Sequence, residues 1–124
     1  MKTIRVLFLM TAVWMLMFFT SALAQEPQAT FVELGSKSCT PCRLMQPVMR
    51  AVESKFGTQL KVVFYDVSTT EHRRYADLYS IRIIPTQVFL NSAGKEFFRH
   101  EGFFSEEEIT RLLKSQGLKL MGKN

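Results

Sequence analysis

Ser38-Cys39-Thr40-Pro41-Cys42 holds both cysteines of this 124-residue chain. A disulfide between residues so close together closes a very small loop and restrains little of the unfolded chain. A staple for the fold belongs between distant segments, so this spacing points to cysteines that react. On the amino side, Thr30-Phe31-Val32-Glu33-Leu34 reads as a strand ended by Gly35-Ser36. On the carboxyl side, Leu44, Met45, Val48, Val52 and Phe56 recur close to a 3.6-residue period, a helix that Gly57 stops. Pro47 falls inside that helix and removes one backbone donor, which should kink it. The cysteines therefore open a helix. Unpaired N–H groups and the helix dipole favour negative charge there. The Cys39 thiol is accordingly expected to have a lowered pKa, and the thiolate is the form that attacks a disulfide. Cys42, one turn on, can reach the same sulfur. Cys39 can then form a mixed disulfide with a partner and be released by Cys42. Pro41 stiffens the turn, and Thr40-Pro41 helps set the reduction potential.

Further along, Leu60 to Val67 is rich in Val and Phe and reads as a second, mostly buried strand. Glu71 to Ser80 is a helix candidate with Tyr75, Leu78 and Tyr79 on one side. Ile81 to Pro85 connects it to a third strand, Thr86 to Leu90. Asn91-Ser92-Ala93-Gly94 is turn chemistry before a fourth strand, Lys95 to His100, which Gly102 breaks. Ser105-Glu106-Glu107-Glu108 fits a capping box ahead of Ile109, Leu112 and Leu113, and Gly117 ends that helix. The order β-α-β-α, then β-β-α, implies one parallel pair with a right-handed crossover and one antiparallel hairpin. The fold class is α/β, a mixed sheet covered by helices on both faces.

Residues 1–24 read as a secretory signal. Lys2 and Arg5 precede the uncharged run Val6 to Phe19, and Thr20-Ser21-Ala22-Leu23-Ala24 supplies small residues in an Ala-x-Ala pattern. The apolar run falls short of the roughly 20 residues needed to span a bilayer. An uncleaved membrane tether is the alternative. Removal leaves residues 25–124, enough to bury a core without staples. The chain carries 16 Lys+Arg against 11 Asp+Glu. Two of the basic residues lie in the leader, and the others are scattered, with only Arg73-Arg74 adjacent. That distribution describes a solvated surface rather than a nucleic-acid stripe. The only Trp, Trp14, lies in the leader. Export places the cysteine pair where disulfides form and persist.

Four elements, in order, resemble a thioredoxin-fold thiol–disulfide oxidoreductase: Cys39-Thr40-Pro41-Cys42, Pro47, Ile84-Pro85-Thr86 and Gly102. The likeness covers about Phe31 to Leu113. It implies a thioredoxin fold with a mixed four- to five-stranded sheet and a domain over 30–117; the residues themselves read as a short polar lead-in over 25–29 and a basic, frayed tail over 118–124. It implies a cis Ile84-Pro85 bond, with Ile84, Pro85, Thr40, Pro41 and Gly102 lining the substrate groove. The backbone of Ile84 would pair with an extended substrate segment. Glu33, six residues before Cys39 in an apolar strand, would be a buried acid that accepts the proton of the resolving thiol, Cys42. Burial would raise its pKa, which suits that task; an edge-strand carboxylate in water is the other reading. The redox-active Cys39–Cys42 disulfide stands in place of a cofactor, and no metal is implied.

The chain also departs from the pattern. Ser38 stands where thioredoxins usually have Trp, and Val62, or marginally Lys61, where many have a buried lysine. Ser68 to Ser80 runs longer than in a minimal thioredoxin. A zinc site could draw on Cys39, Cys42, His72 and His100, but their spacing matches no finger pattern. Hydrolysis by a cysteine would want a histidine base, and neither histidine has a positional argument. Phe97, Phe98, Phe103 and Phe104 are either core or a partner surface. A non-catalytic assembly module stays open, as do oxidation and isomerisation of disulfides. The expected direction is reduction of protein disulfides by a monomer. Its electrons would come from a membrane thiol-transfer protein, and apocytochrome c thiols or an oxidised cell-envelope protein are the possible acceptors.

Overall fold

The computed structural model describes residues 25–122. The expected leader, 1–24, and the end of the tail lie outside them. The elements are β1 (Ala29–Gly35), α1 (Thr40–Phe56), a 3-10 turn (Gly57–Gln59), β2 (Leu60–Asp66), α2 (Arg74–Leu78), β3 (Thr86–Asn91), β4 (Glu96–Glu101) and α3 (Glu106–Ser115). They form a sheet of four strands in the order β2-β1-β3-β4. β1 pairs parallel with β2 and antiparallel with β3, and β3 pairs antiparallel with β4.

β1 is central because it is apolar on both faces, and it is almost wholly buried. Ala29 and Phe31 join one cluster with Met45, Val52 and Phe56 of α1, Phe89 of β3, Ile109 and Leu113 of α3, and Leu118. Phe31 stacks on Phe89 with ring centroids 4.8 Å apart. Val32 and Leu34 point the other way, toward Val88 and the half-buried Tyr75 and Tyr79 around α2. One face of the sheet thus carries α1 and α3, and the other carries α2.

Several elements differ from expectation for identifiable reasons. β2 is half-buried over Val62 to Tyr65 rather than mostly buried, because it is an edge strand. The helix expected over Glu71–Ser80 shrinks to Arg74–Leu78. Before it, Ser68 N–H donates to Asp66 Oδ1 (3.1 Å), Thr69 Oγ1–H to Asp66 O (2.8 Å) and His72 N–H to Thr69 Oγ1 (3.3 Å). Such local side-chain bonds compete with the helical ladder. Leu44 and Leu78, expected on buried faces, are exposed. Cys42 and Met49 occupy the buried face of α1 that Leu44 leaves. α1 continues past Pro47, which leaves the Arg43 carbonyl without its helical donor.

The described part of the expected tail, 118–122, is tied to the body of the domain. Leu118 is buried. Gln59 clasps Lys119 from both sides, its Nε2 donating to Lys119 O (2.7 Å) and its Oε1 accepting from Lys119 N–H (2.9 Å). Met121 N–H donates to Lys55 O (2.7 Å).

The capping box of α3 forms as expected. Ser105 Oγ accepts from Glu108 N–H at 3.3 Å, and the Glu108 carboxylate accepts from Ser105 N–H. Ser105→Ala should cost about 1 kcal/mol of stability, read as a lower denaturant midpoint at unchanged m-value.

Candidate active site

β1 ends at Gly35, and only Ser36, Lys37 and Ser38 separate it from Cys39, the N-cap of α1. This short loop is held from below by the end of β2. Lys37 N–H donates to Asp66 Oδ2 (3.1 Å), and Ser36 Oγ bonds the hydroxyls of Ser38 (2.9 Å) and Ser68 (3.2 Å). The Ser68 hydroxyl, with help from the Lys37 backbone N–H, holds the Asp66 carboxyl below its usual pKa.

Cys39 has extended backbone geometry, φ −88° and ψ 123°, and its sulfur accepts from Cys42 N–H at 3.3 Å. The sulfur thereby takes the N-cap place that a Ser or Asp oxygen usually fills. The first turn of α1 carries no acidic residue to oppose negative charge there. Cys39 and Cys42 are joined as a disulfide with their Cα atoms 5.2 Å apart. The two sulfurs are unequal. Cys39 is half-buried at the surface, whereas Cys42 is only 1% exposed.

Gly35 explains how Cys42 fits so deeply. A Cβ on Gly35 would sit 3.2 Å from Cys42 Sγ and 3.3 Å from Phe64 Cε2. Gly35→Ala should therefore push the disulfide off its seat and cost about 1–3 kcal/mol, measured by chemical denaturation of the oxidised protein. Beside the pair, an open cleft of about 220 Å³ is lined by Ser36, Lys37, Cys42, Arg43, Gln46 and Phe64. Lys37 and Arg43 make its rim basic.

The other expected groove residues lie at the same end of the sheet. The antiparallel register sets Leu34 opposite Thr86, which brings Pro85 level with the loop that leads to Cys39. The Ile84–Pro85 peptide is cis. Gly102, with φ +90°, donates its N–H to Pro85 O at 2.8 Å. Thr86 Oγ1–H closes the turn on Ile83 O at 2.7 Å. Pro85 is buried, while Ile83, Ile84, Thr40 and Pro41 are exposed.

Glu33 is not an edge carboxylate in water. It lies on the central strand, 0% exposed, between Phe64 of β2 and Gln87 of β3. Strand alternation puts it on the same face as Gly35, and so beneath Cys42. Burial raises its pKa to about 8, against the lowering influence of the neighbouring Gln87 amide. Val62 packs half-buried against the core and Lys61 is exposed, so neither supplies Glu33 with a cation.

Gln87 is the residue that sequence reading missed. It is fully buried. The available signal was parity: Gln87 shares its face with the core residue Phe89, where a polar side chain is unexpected.

The histidines stand elsewhere. His72 meets the edge of Tyr65, and His100 stacks on Phe104 at 4.2 Å with Nε2 3.0 Å from Phe103 O. Among the described residues, no three His, Cys, Asp or Glu side chains come together as a metal site. Phe97 and Phe98 pack against the core and Phe104 is buried in it, leaving Phe103 exposed.

A mixed sheet between helices, with a cysteine pair bonded at the head of α1, is the architecture of thiol–disulfide exchange proteins. The family model for thioredoxin matches residues 11–115, and the chain belongs to the thioredoxin family. It is similar to DnaJ homolog subfamily C member 10 of Homo sapiens, 28% identical over 90 residues that cover 73% of this chain and 11% of that protein. The chain thus spans about a tenth of the length of those relatives. Thioredoxin of Bacillus subtilis (strain 168) is 31% identical over 75 residues, 60% of this chain and 69% of that one. Among solved structures, a mutant thioredoxin from Halobacterium salinarum NRC-1 superposes with a TM-score of 0.65 at 23% identity, covering 77% of this chain and 80% of that one. Chloroplastic thioredoxin z gives 0.66 at 27% identity, covering 77% and 84%. The fold is therefore the thioredoxin fold. Family and bonded cysteine pair together support a thiol–disulfide oxidoreductase.

Proposed function

We propose that this chain is an exported reductase of protein disulfides, with Cys39 as nucleophile and Cys42 as resolving thiol. The carrying observation is the inequality of the sulfurs: Cys39 is the accessible N-cap of α1, and Cys42 is sealed beneath it. In the reduced protein, the α1 N-terminus favours a Cys39 thiolate. That thiolate attacks a substrate disulfide. One substrate sulfur bonds to Cys39 and the other leaves as a thiolate, which takes up a proton. The ionised form of Glu33, the minor one at neutral pH with its pKa raised to about 8, then takes the proton of Cys42, which attacks Cys39 Sγ. The Cys39–Cys42 bond forms, the mixed disulfide breaks, and the second substrate sulfur leaves. Two electrons have passed from the dithiol to the substrate. Thr40, Pro41, Ile84, Pro85 and Gly102 receive the substrate as a short extended segment along the Ile84 backbone.

The leader read in residues 1–24 supports export to a periplasm or comparable space, and its alternative is a retained tether. An exported reductant needs electrons from the cytosol, so a membrane thiol-transfer protein is the donor of choice. Apocytochrome c thiols or an oxidised envelope protein are the fitting acceptors. The likeness to thioredoxins and the short connections between the described elements favour reduction over oxidation or isomerisation.

The test is a Cys42→Ala chain, which should trap substrates as mixed disulfides through Cys39, while wild type accelerates insulin reduction by dithiothreitol. If neither occurs, the chain is an assembly module rather than a catalyst. Equilibration with glutathione sets the direction. A potential below about −250 mV agrees with reduction, and one near −120 mV means oxidation.

A further inference from the structure

Glu33 and Gln87 face each other across the β1–β3 ladder, both 0% exposed. Glu33 Oε1 and Oε2 and Gln87 Nε2 and Oε1 all lack a hydrogen-bond partner among the described residues. Four orphan polar atoms in one buried place are costly, and buried polar groups in native proteins are nearly always paired. Removing both groups would relieve the cost, so their joint presence needs a use.

We propose that Gln87 is a positioning residue for the proton step of this site. Its amide closes onto the Glu33 carboxyl, donating Nε2–H to the carboxylate and accepting the carboxylic acid O–H through Oε1. A primary amide suits this task because it carries a donor and an acceptor side by side and can serve both protonation states. A leucine at that position could serve neither, and a carboxylate would repel. The inference rests on the role given to Glu33 above. When Cys42 gives up its proton, Glu33 takes it, and the new O–H turns to Gln87 Oε1. When Glu33 passes the proton on, Nε2–H steadies the charge that remains.

Other ionisable groups surround Glu33 without taking this place. Cys42 lies above it on α1, and Asp66 is turned to the Lys37 and Ser68 backbone at the end of β2. His100 stands opposite Gln87 on β4, with its ring on Phe104 and Nε2 at Phe103 O. Lys37 and Arg43 line the cleft mouth. Gln87, the register partner of Glu33 on β3, is the buried side chain that brings a free donor and a free acceptor beside it.

The experiment is a carbon-detected NMR titration of the Glu33 carboxyl in the oxidised protein, for wild type and Gln87→Met. Loss of the donor to the charged form should move the Glu33 midpoint upward by about one pH unit or more. The pH profile of mixed-disulfide release should move with it. In wild type, the Gln87 side-chain amide signals should shift with the same midpoint as Glu33, a readout that needs no variant. An unmoved or lowered midpoint in Gln87→Met overturns the proposal, as do Gln87 amide signals indifferent to the Glu33 titration. So does a uniform loss of rate at every pH. The titration uses the oxidised chain and needs no substrate. Failure of the Cys42→Ala trap would remove the proposed function and leave these signals readable.

Discussion

Cys39→Ala is expected to bring insulin reduction down to the rate with dithiothreitol alone, whereas Cys42→Ala should still complete the first attack. The difference follows from burial. Cys42 is 1% exposed and lies against Gly35 and Phe64, so no protein disulfide can approach its sulfur. Without Cys39 the remaining thiol is also off the N-cap position, where unpaired N–H groups favour the thiolate. The single variants should therefore separate cleanly: Cys39→Ala captures no partner, and Cys42→Ala captures partners that it cannot release. Non-reducing gels of the two proteins, mixed with oxidised substrate and quenched with acid, read the result. Equal capture by both variants would mean that the sulfurs are interchangeable and that the sealed position of Cys42 is irrelevant.

The second large effect is a dependence of stability on pH. Glu33 ionises near 4.5 in the unfolded chain, but burial lifts it to about 8 in the folded one. Below pH 4.5 the group is protonated in both states and takes nothing from stability. Between pH 4.5 and 8 the unfolded chain gives up a proton that the folded chain keeps. Each pH unit then costs about 1.4 kcal/mol, to a ceiling of roughly 5 kcal/mol above pH 8. Oxidised wild type should accordingly lose stability from pH 5 to pH 8, while Glu33→Gln should lose far less. Urea unfolding of both proteins at pH 5, 6.5 and 8 measures it. Parallel curves for the two proteins would place Glu33 in water. The same variant removes the proton acceptor for Cys42, and release of the mixed disulfide should slow on the order of 10²-fold.

What the sequence disclosed and what it withheld divide by range. The helix after Cys42 was legible because its apolar period and its stop at Gly57 are local, and so was the capping box at Ser105. The cysteine pair and the Ile84-Pro85-Thr86 turn were legible as motifs. The exposure of β2 was not, since it depends on strand order, and no residue within Leu60–Asp66 announces an edge. The shortened α2 reflects bonds between Asp66, Ser68 and Thr69 that a hydrophobic pattern does not register. Gly35 looked like the end of a strand, and only the approach of Cys42 from another element shows why a side chain is excluded there. Gln87 required the register that sets it against Glu33. The clasp of Gln59 on Lys119 joins residues 60 positions apart, beyond any local rule.

The place of α3 in the principal core bears on how the polypeptide is assembled in time. Phe31, Met45 and Phe56 share one apolar cluster with Ile109, Leu113 and Leu118. A chain that emerges amino end first exposes β1 and α1 long before those covering side chains arrive. Until those side chains arrive, the apolar face of α1 lacks its α3 cover. The principal core is therefore complete only when residues 106–118 are in place.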